Sequence, residues 1–279
     1  MKINDLLSII EQTGIYPSKK LGQNFLIDEN LLNFIAKTAD VKKDENIIEI
    51  GPGLGSLTER ILESEAMLTA IEFDHKLFDY LKFKYKSREN ITLINEDACR
   101  TDYTKLTANI PEYRLISNLP YSISTPLMAK FADLENPPAG MLLLLQKETA
   151  LRFIATPNTK DYGSITIRLQ LLYQGELVRT VSPNVFFPKP DVQSAILKLT
   201  RKTVYPDISA RKKVDAIVKT AFLKRRKKLK NTIAPLFGER AIEKAFSEMG
   251  LNPNARPEDI SPQDYLILSS YLPVLAASN

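Results

Sequence analysis

A chain of 279 residues, 44% hydrophobic and 25% charged, has the length for one large domain plus a smaller one and apolar content for a sizeable core. The single cysteine, Cys99, excludes an internal disulfide, and with only one histidine, His75, no Cys/His zinc cluster is available, so no metal is expected. The first residues lack a signal-peptide core and no apolar run approaches the ~20 residues that span a bilayer, which predicts a cytoplasmic protein away from membranes. The net charge of +5 is unevenly spread: residues 1–202 hold 25 Lys/Arg and 25 Asp/Glu, whereas residues 203–279 hold 13 against 8. A neutral body with a basic tail suggests docking of an anionic macromolecule at that end; the blander reading is a solvated basic face.

In chain order, residues 1–20 read as a basic, partly helical lead-in. Gln23-Asn24 follows in a glycine-flanked turn, and Asp28 is the expected N-cap of a helix to about residue 39. From residue 46 strands and helices alternate. Strands are predicted at Asn46–Ile50, Met67–Ile71, Ile91–Ile94, Tyr113–Ser117 and Met141–Leu145. Ser56 with Glu59 three residues on suggests a capping box for the first crossover helix. Leu177–Val181 and Ser194–Leu199 have no long helix between them and are expected to pair antiparallel. The three prolines of Pro183-Asn184-Val185-Phe186-Phe187-Pro188-Lys189-Pro190 predict a stiff loop, neither helix nor strand. Beyond Thr203 the pattern is purely helical, over 208–222, 226–237, 239–249 and about 262–272. The reading is an α/β, Rossmann-like doubly wound sheet with an antiparallel edge hairpin, over residues 1–203, followed by a small all-α domain over 204–279.

The chemistry concentrates at strand ends. Gly51, Gly53 and Gly55 sit between a strand and a helix, where the backbone turns tightly and a ligand can approach it. Glu72 ends the next strand 21 residues after Gly51, the spacing at which a carboxylate accepts hydrogen bonds from ribose hydroxyls. The G-x-G-x-G spacing is tighter than that of dinucleotide enzymes and lacks G-K-[ST], which suits a nucleoside cofactor without a pyrophosphate, such as S-adenosylmethionine. Asp97, at the third strand's end, is placed to accept from an adenine N6–H₂, with a helix N-cap as the competing reading.

Asn118-Leu119-Pro120-Tyr121 ends the fourth strand. Proline stops the strand, and the turn gathers an amide oxygen, a backbone carbonyl and a flat ring. An adenine N6 lone pair is delocalised into its ring. The Asn118 oxygen and the Leu119 carbonyl can accept its two N–H groups, help the nitrogen pyramidalise and stabilise the positive charge that develops. Tyr121 can stack on the target base, with Phe186 on its other face and Phe187 the less suited alternative. No general base is needed, and His75 reads as a surface residue at a helix start.

With these residues in hand, the sequence resembles the ribosomal RNA adenine dimethyltransferases, in particular the bacterial small-subunit enzymes that act near the 3′ end of 16S rRNA. The resemblance rests on Gly22-Gln23-Asn24-Phe25-Leu26, Glu49-Ile50-Gly51-Pro52-Gly53-Leu54-Gly55, Glu72, Glu96-Asp97-Ala98, Asn118-Leu119-Pro120-Tyr121, and the run from Phe186 through Pro188, Pro190 and Val192 to Ser194. It implies that Asn24 and Leu26 contact the cofactor beside Gly51, Gly53, Glu72, Asp97 and Asn118, and that Tyr121 and Phe186 sandwich the adenine. Glu96 stands where the family often has glutamine. Six cations in seven residues, Lys224, Arg225, Arg226, Lys227, Lys228 and Lys230, resemble the arginine-rich helix of the small-subunit enzymes, with Phe222, Leu223 and Leu229 as apolar anchors. Arg256-Pro257-Glu258-Asp259-Ile260-Ser261 also matches their carboxyl-terminal region.

The expected activity is N6,N6-dimethylation of two adjacent adenosines by a monomer acting on small-subunit rRNA in an immature 30S particle. The alternatives are a 23S rRNA dimethyltransferase conferring macrolide resistance, an assembly factor whose catalysis is secondary and, less well matched in its loop, a nicotinamide dehydrogenase.

Overall fold

The structure, a computed structural model, describes residues 3–18 and 21–273; Lys19 and Lys20 of the basic lead-in lie outside the described residues. Helix α1 (Ile3–Thr13) and the two-residue strand β1 (Phe25–Leu26) precede α2 (Glu29–Ala39). As expected, the Asp28 side chain caps α2 by accepting from the Leu31 N–H at 2.7 Å, and Leu31, Leu32, Ile35 and Ala39 form its buried face.

The alternating region then runs β2 (Asn46–Ile50), α3 (Ser56–Leu62), β3 (Met67–Glu72), α4 (His75–Lys84), β4 (Ile91–Asn95), α5 (Tyr103–Leu106), β5 (Arg114–Asn118), α6 (Ser124–Ala132), β6 (Gly140–Gln146) and α7 (Lys147–Phe153). After α8 (Ser164–Leu172) come β7 (Tyr173–Val181), β8 (Phe186–Phe187) and β9 (Ser194–Arg201), then only helices: α9 (Ile208–Leu223), α10 (Leu229–Phe237), α11 (Glu239–Glu248) and α12 (Pro262–Tyr271).

Seven strands form one sheet in the order β4-β3-β2-β5-β6-β9-β7. The first five are parallel neighbours, and β9 runs antiparallel to β6 with Gln146 opposite Ser194. Runs such as Met141–Leu145 are continuously apolar because helices cover both faces of a doubly wound sheet, and all five residues are buried. The edge strand β4 contains no fully buried residue. Strand order reverses between β2 and β5, the place where such sheets open a crevice for ligands at their carboxyl ends.

Three local expectations are corrected. Ser56 does not cap α3: Gly55 holds the N-cap position at φ 81° without a side-chain bond, and Ser56 is the first helical residue. The proline-rich loop contains β8, which pairs antiparallel with β1, Leu26 opposite Phe186 and Phe25 opposite Phe187. Neither of these two-residue strands is long enough to show a period in the sequence. The predicted helix over 226–237 begins only at Leu229, because α9 ends at Leu223 and 224–228 form a turn.

The chain separates into two compact units. One comprises residues 1–130, 138–150 and 175–201, and the other 131–137, 151–174 and 202–279. The switch at 201/202 lies close to the expected boundary, but the helical unit also takes in two earlier segments. A buried cation explains one of them. Arg211 on α9 is 6% exposed and donates to the carbonyls of Ala132 at 2.6 Å, Leu134 at 2.9 Å and Pro206 at 3.1 Å. The other segment is held by Arg168 on α8, which pairs with Asp215 of α9 at 3.0 Å, and by the Tyr162 hydroxyl, which donates to the Ile260 carbonyl at 2.8 Å. Buried donors need acceptors, and these segments supply or receive them.

Candidate active site

The carboxyl ends of β2, β3, β4 and β5 surround a cavity of about 220 Å³. Its wall carries Gly51 and Gly53 after β2, Glu72 and Phe73 after β3, Asp97 and Ala98 after β4, and Asn118 through Tyr121 after β5, closed by Asn24 and Leu26. Every expected cofactor-side residue therefore converges on one crevice at the strand-order reversal.

Two glycines show why the loop tolerates no side chain. Gly51 has φ 65°, and a Cβ there would lie 3.2 Å from Cγ of Pro120, so the glycine loop packs directly against the Asn-Leu-Pro-Tyr turn. Gly53 has φ 59°, and its Cβ would meet the Phe25 ring at 3.1 Å. The Gly53 N–H donates to Oε2 of Glu72 at 3.1 Å and the Asp74 N–H to Oε1 at 2.9 Å, so both carboxylate oxygens are aimed by backbone. Burial, at 5% exposure, pushes the Glu72 carboxyl up to about 7 against these two stabilising bonds.

A second acidic group in the wall is Glu49, which the sequence shows only as part of the glycine motif. It is 2% exposed, accepts from the Thr58 hydroxyl at 2.7 Å, and is pushed up to about 8 by burial. Its signal is its position two residues before Gly51, between Ile48 and Ile50 of β2. Phe73, beside Glu72 and without a motif of its own in the sequence, lines the cavity and is 60% exposed. Asp97 closes a tight turn, accepting from the Cys99 N–H at 2.9 Å, and keeps a face toward the cavity. Glu96 stands at the exposed rim. His75, with its side chain 76% exposed, begins α4 and bonds to Asn95.

At the other end of the cavity, Asn118 Nδ2 donates to the Asn24 carbonyl at 3.2 Å. That bond uses the amide's donor side and leaves Oδ1 as an acceptor. The Leu119 N–H is held by the Leu144 carbonyl at 2.9 Å, and among the described residues no donor reaches the Leu119 carbonyl. The Gln23-Asn24 turn now has a structural part: Gln23 accepts from the Ser18 N–H and donates to Asp74, tying the turn to the end of β3. The Tyr121 ring borders the cavity, and its hydroxyl lies 2.6 Å from Oγ of Ser194.

Phe186 departs from expectation. Its backbone sits beside Leu26 at the cavity, but its ring is 3% exposed and packs in the core with Val181 and Ile196. Phe187 is half-buried against Phe25 and Leu77. Neither ring lines the cavity in this structure. The pairing of β8 with β1 turns the two successive side chains to opposite faces, Phe186 into one core cluster and Phe187 against another.

In the helical unit, residues 224–228 of the cationic segment form a turn and Lys230 lies in the first turn of α10. Lys224, Arg226, Lys227 and Lys228 are exposed and Lys230 is half-exposed. Arg225 is engaged differently: it donates to the carbonyls of Lys160 at 2.7 Å and Thr159 at 2.8 Å and lies 3.6 Å from Glu258. Leu229 is buried and Phe222 packs on the helical core, but Leu223 is 83% exposed and anchors nothing. Among the described residues no helix is long and apolar enough to cross a membrane.

The sequence profile of the ribosomal RNA adenine dimethylase family matches residues 17–273. Ribosomal RNA small subunit methyltransferase A of Dechloromonas aromatica is 38% identical over 93% of this chain and 99% of its own, and that of Clostridium botulinum (strain Loch Maree) is 37% identical over 90% and 92%. Among solved structures, the 23S rRNA methyltransferase ErmE is 25% identical with a TM-score of 0.65, covering 89% of this chain and 99% of that one. A dimethyladenosine transferase from Plasmodium falciparum shares the fold at a TM-score of 0.69 and 23% identity, covering 88% and 95%.

Proposed function

The chain belongs to the ribosomal RNA adenine dimethylase family, and on that premise we propose that it converts two adjacent adenosines near the 3′ end of 16S rRNA to N6,N6-dimethyladenosine during small-subunit biogenesis. The observation that carries the reading is the convergence on one crevice of a buried strand-end carboxylate with the free acceptors of Asn118 and Leu119.

The residues present suit S-adenosylmethionine. Glu72 offers two backbone-aimed oxygens for a ribose diol, Asp97 an acceptor for adenine N6–H₂, Ala98 room for a ring, and Gly51 and Gly53 a bare backbone. Asn24 and Leu26 complete the same wall. When bound, the cofactor supplies a methyl group on a sulfonium, an electrophile that needs no acid.

The protein's own task is to present the amine. Asn118 Oδ1 and the Leu119 carbonyl accept the two N–H groups of the target adenine, which localises the nitrogen lone pair and stabilises the charge that grows on nitrogen. The Asn24 carbonyl prevents the Asn118 amide from turning its N–H₂ toward that amine. Tyr121 holds one face of a base withdrawn from its stack. The methylated nitrogen is strongly acidic and loses its proton to solvent. Phe186 reaches the second face only if β8 releases it from the core.

The small-subunit substrate is supported by relatives of 37–38% identity over 90–93% of the chain, against 25% for ErmE. Lys224, Arg226, Lys227, Lys228 and Lys230 carry the affinity for the rRNA backbone in an immature 30S particle, and the enzyme works as a cytoplasmic monomer. The test is mass spectrometry of rRNA after incubation with cofactor. Unmethylated small subunits should acquire dimethyladenosine, and Asn118→Ala or Tyr121→Ala should abolish it. Methylation of naked 23S rRNA but not of small subunits would reverse the assignment.

A further inference from the structure

The proline-rich run ends at Ser194, the first residue of β9, and no role in the reaction has been attached to it. Its side chain is fully buried, although serine is a mostly exposed residue type. Its hydroxyl lies 2.6 Å from the Tyr121 hydroxyl. Tyr121 begins the short turn that follows Pro120, and it stands half-buried at the cavity wall.

The sheet makes this contact rigid. Ser194 pairs with Gln146 on β6, and the next strand over, β5, places Asn118 opposite Leu144 of the same β6. One strand therefore references both the amide that receives the target amine and the serine that anchors the neighbouring ring. Stacking alone requires only a ring, and a phenylalanine would provide it. A hydroxyl bonded to a buried strand residue adds something else, a fixed azimuth for that ring.

We propose that Ser194 is a positioning residue: it pins the Tyr121 hydroxyl so that the ring stands ready to stack the target base with its amine against Asn118 and Leu119. This rests on the reading of Tyr121 as the base-stacking residue. Burial raises the Tyr121 phenol above its ordinary range, so the group stays a neutral hydrogen-bonding partner throughout the working pH range.

A double-mutant cycle on the full-length enzyme tests it, using unmethylated small subunits and S-adenosylmethionine. Ser194→Ala and Tyr121→Phe should each lower kcat/KM for the RNA by about fivefold, the worth of one net hydrogen bond. The double variant should lose no more than either single one, because both remove the same bond. Cofactor affinity by calorimetry should stay at the wild-type value in all three. Tyr121→Phe removes the bond without touching β9, so the result stands even if Ser194→Ala folds poorly. Wild-type kinetics for Tyr121→Phe, additive losses, or a parallel fall in cofactor affinity would each overturn the proposal. An inactive wild-type enzyme would instead overturn the assigned substrate.

Discussion

Glu72→Gln isolates the group on which the cofactor reading depends. In the structure each carboxylate oxygen accepts one backbone N–H, from Gly53 and from Asp74. A glutamine has a single acceptor oxygen, so its N–H₂ must face one of those donors, and the ribose diol loses an anionic acceptor. A hydrogen bond to a charged partner contributes about 1.5–3 kcal/mol, which translates into about 10- to 150-fold weaker binding. The wild type should also show a pH signature. Burial holds the free carboxyl near 7, and the diol needs the ionised form. Affinity should thus drop on the order of tenfold from about pH 8 to about pH 6, while Glu72→Gln stays flat. Titration calorimetry with 5′-methylthioadenosine, which does not itself titrate in this range, should find about half a proton released at about pH 7 in buffers of different ionisation enthalpy. Wild-type affinity for Glu72→Gln, or a pH-independent wild type with no proton release, would refute the reasoning.

The same burial has the opposite sign for the free protein. A carboxyl raised from 4.5 to about 7 favours the folded state at low pH, and that contribution is lost as pH rises through 7; on the order of 3 kcal/mol should go, visible as a falling thermal midpoint whose slope Glu72→Gln reduces, the remainder coming from Glu49, which is raised in the same sense. Gly51→Ala should cost about 1–2 kcal/mol for its left-handed backbone alone, and more where its Cβ meets Pro120, with cofactor binding by calorimetry reduced alongside the thermal midpoint. In the cationic turn, Arg226→Ala should lower the salt slope of RNA binding by about 0.7–0.9 and leave stability unchanged. Arg225→Ala should instead lower the thermal midpoint, because it removes the two hydrogen bonds that hold the turn to the Thr159 and Lys160 carbonyls; equal salt slopes and equal stabilities for the two variants would contradict the distinction.

Legibility in the sequence followed the length of the physical signal. The five parallel strands announced themselves by apolar runs bounded by glycine, proline or acidic residues, and the residues ending β2 to β5 fell where a doubly wound sheet opens its crevice. Two-residue strands leave no such trace, so the β1–β8 pairing that turns Phe186 into the core was invisible. The cationic segment read as helix because lysine, arginine and leucine favour it, but the turn is held by Arg225 bonding to distant carbonyls. Glu49 was similarly hidden, since a carboxylate inside a strand shows its meaning only through what surrounds it.

By itself the sequence determined the alternation of strands and helices, the G-x-G-x-G loop, the strand-end carboxylates and the Asn-Leu-Pro-Tyr turn, all set by residue type and spacing along one chain. Only the tertiary structure decided that Asn118 has its donor side engaged and its acceptor free, and that Tyr121 leans on a serine from β9. It also decided that residues 131–137 and 151–174 belong with the helical unit. These are contacts between residues dozens of positions apart, and a hydrogen bond between such residues depends on where the folded backbone brings its two ends.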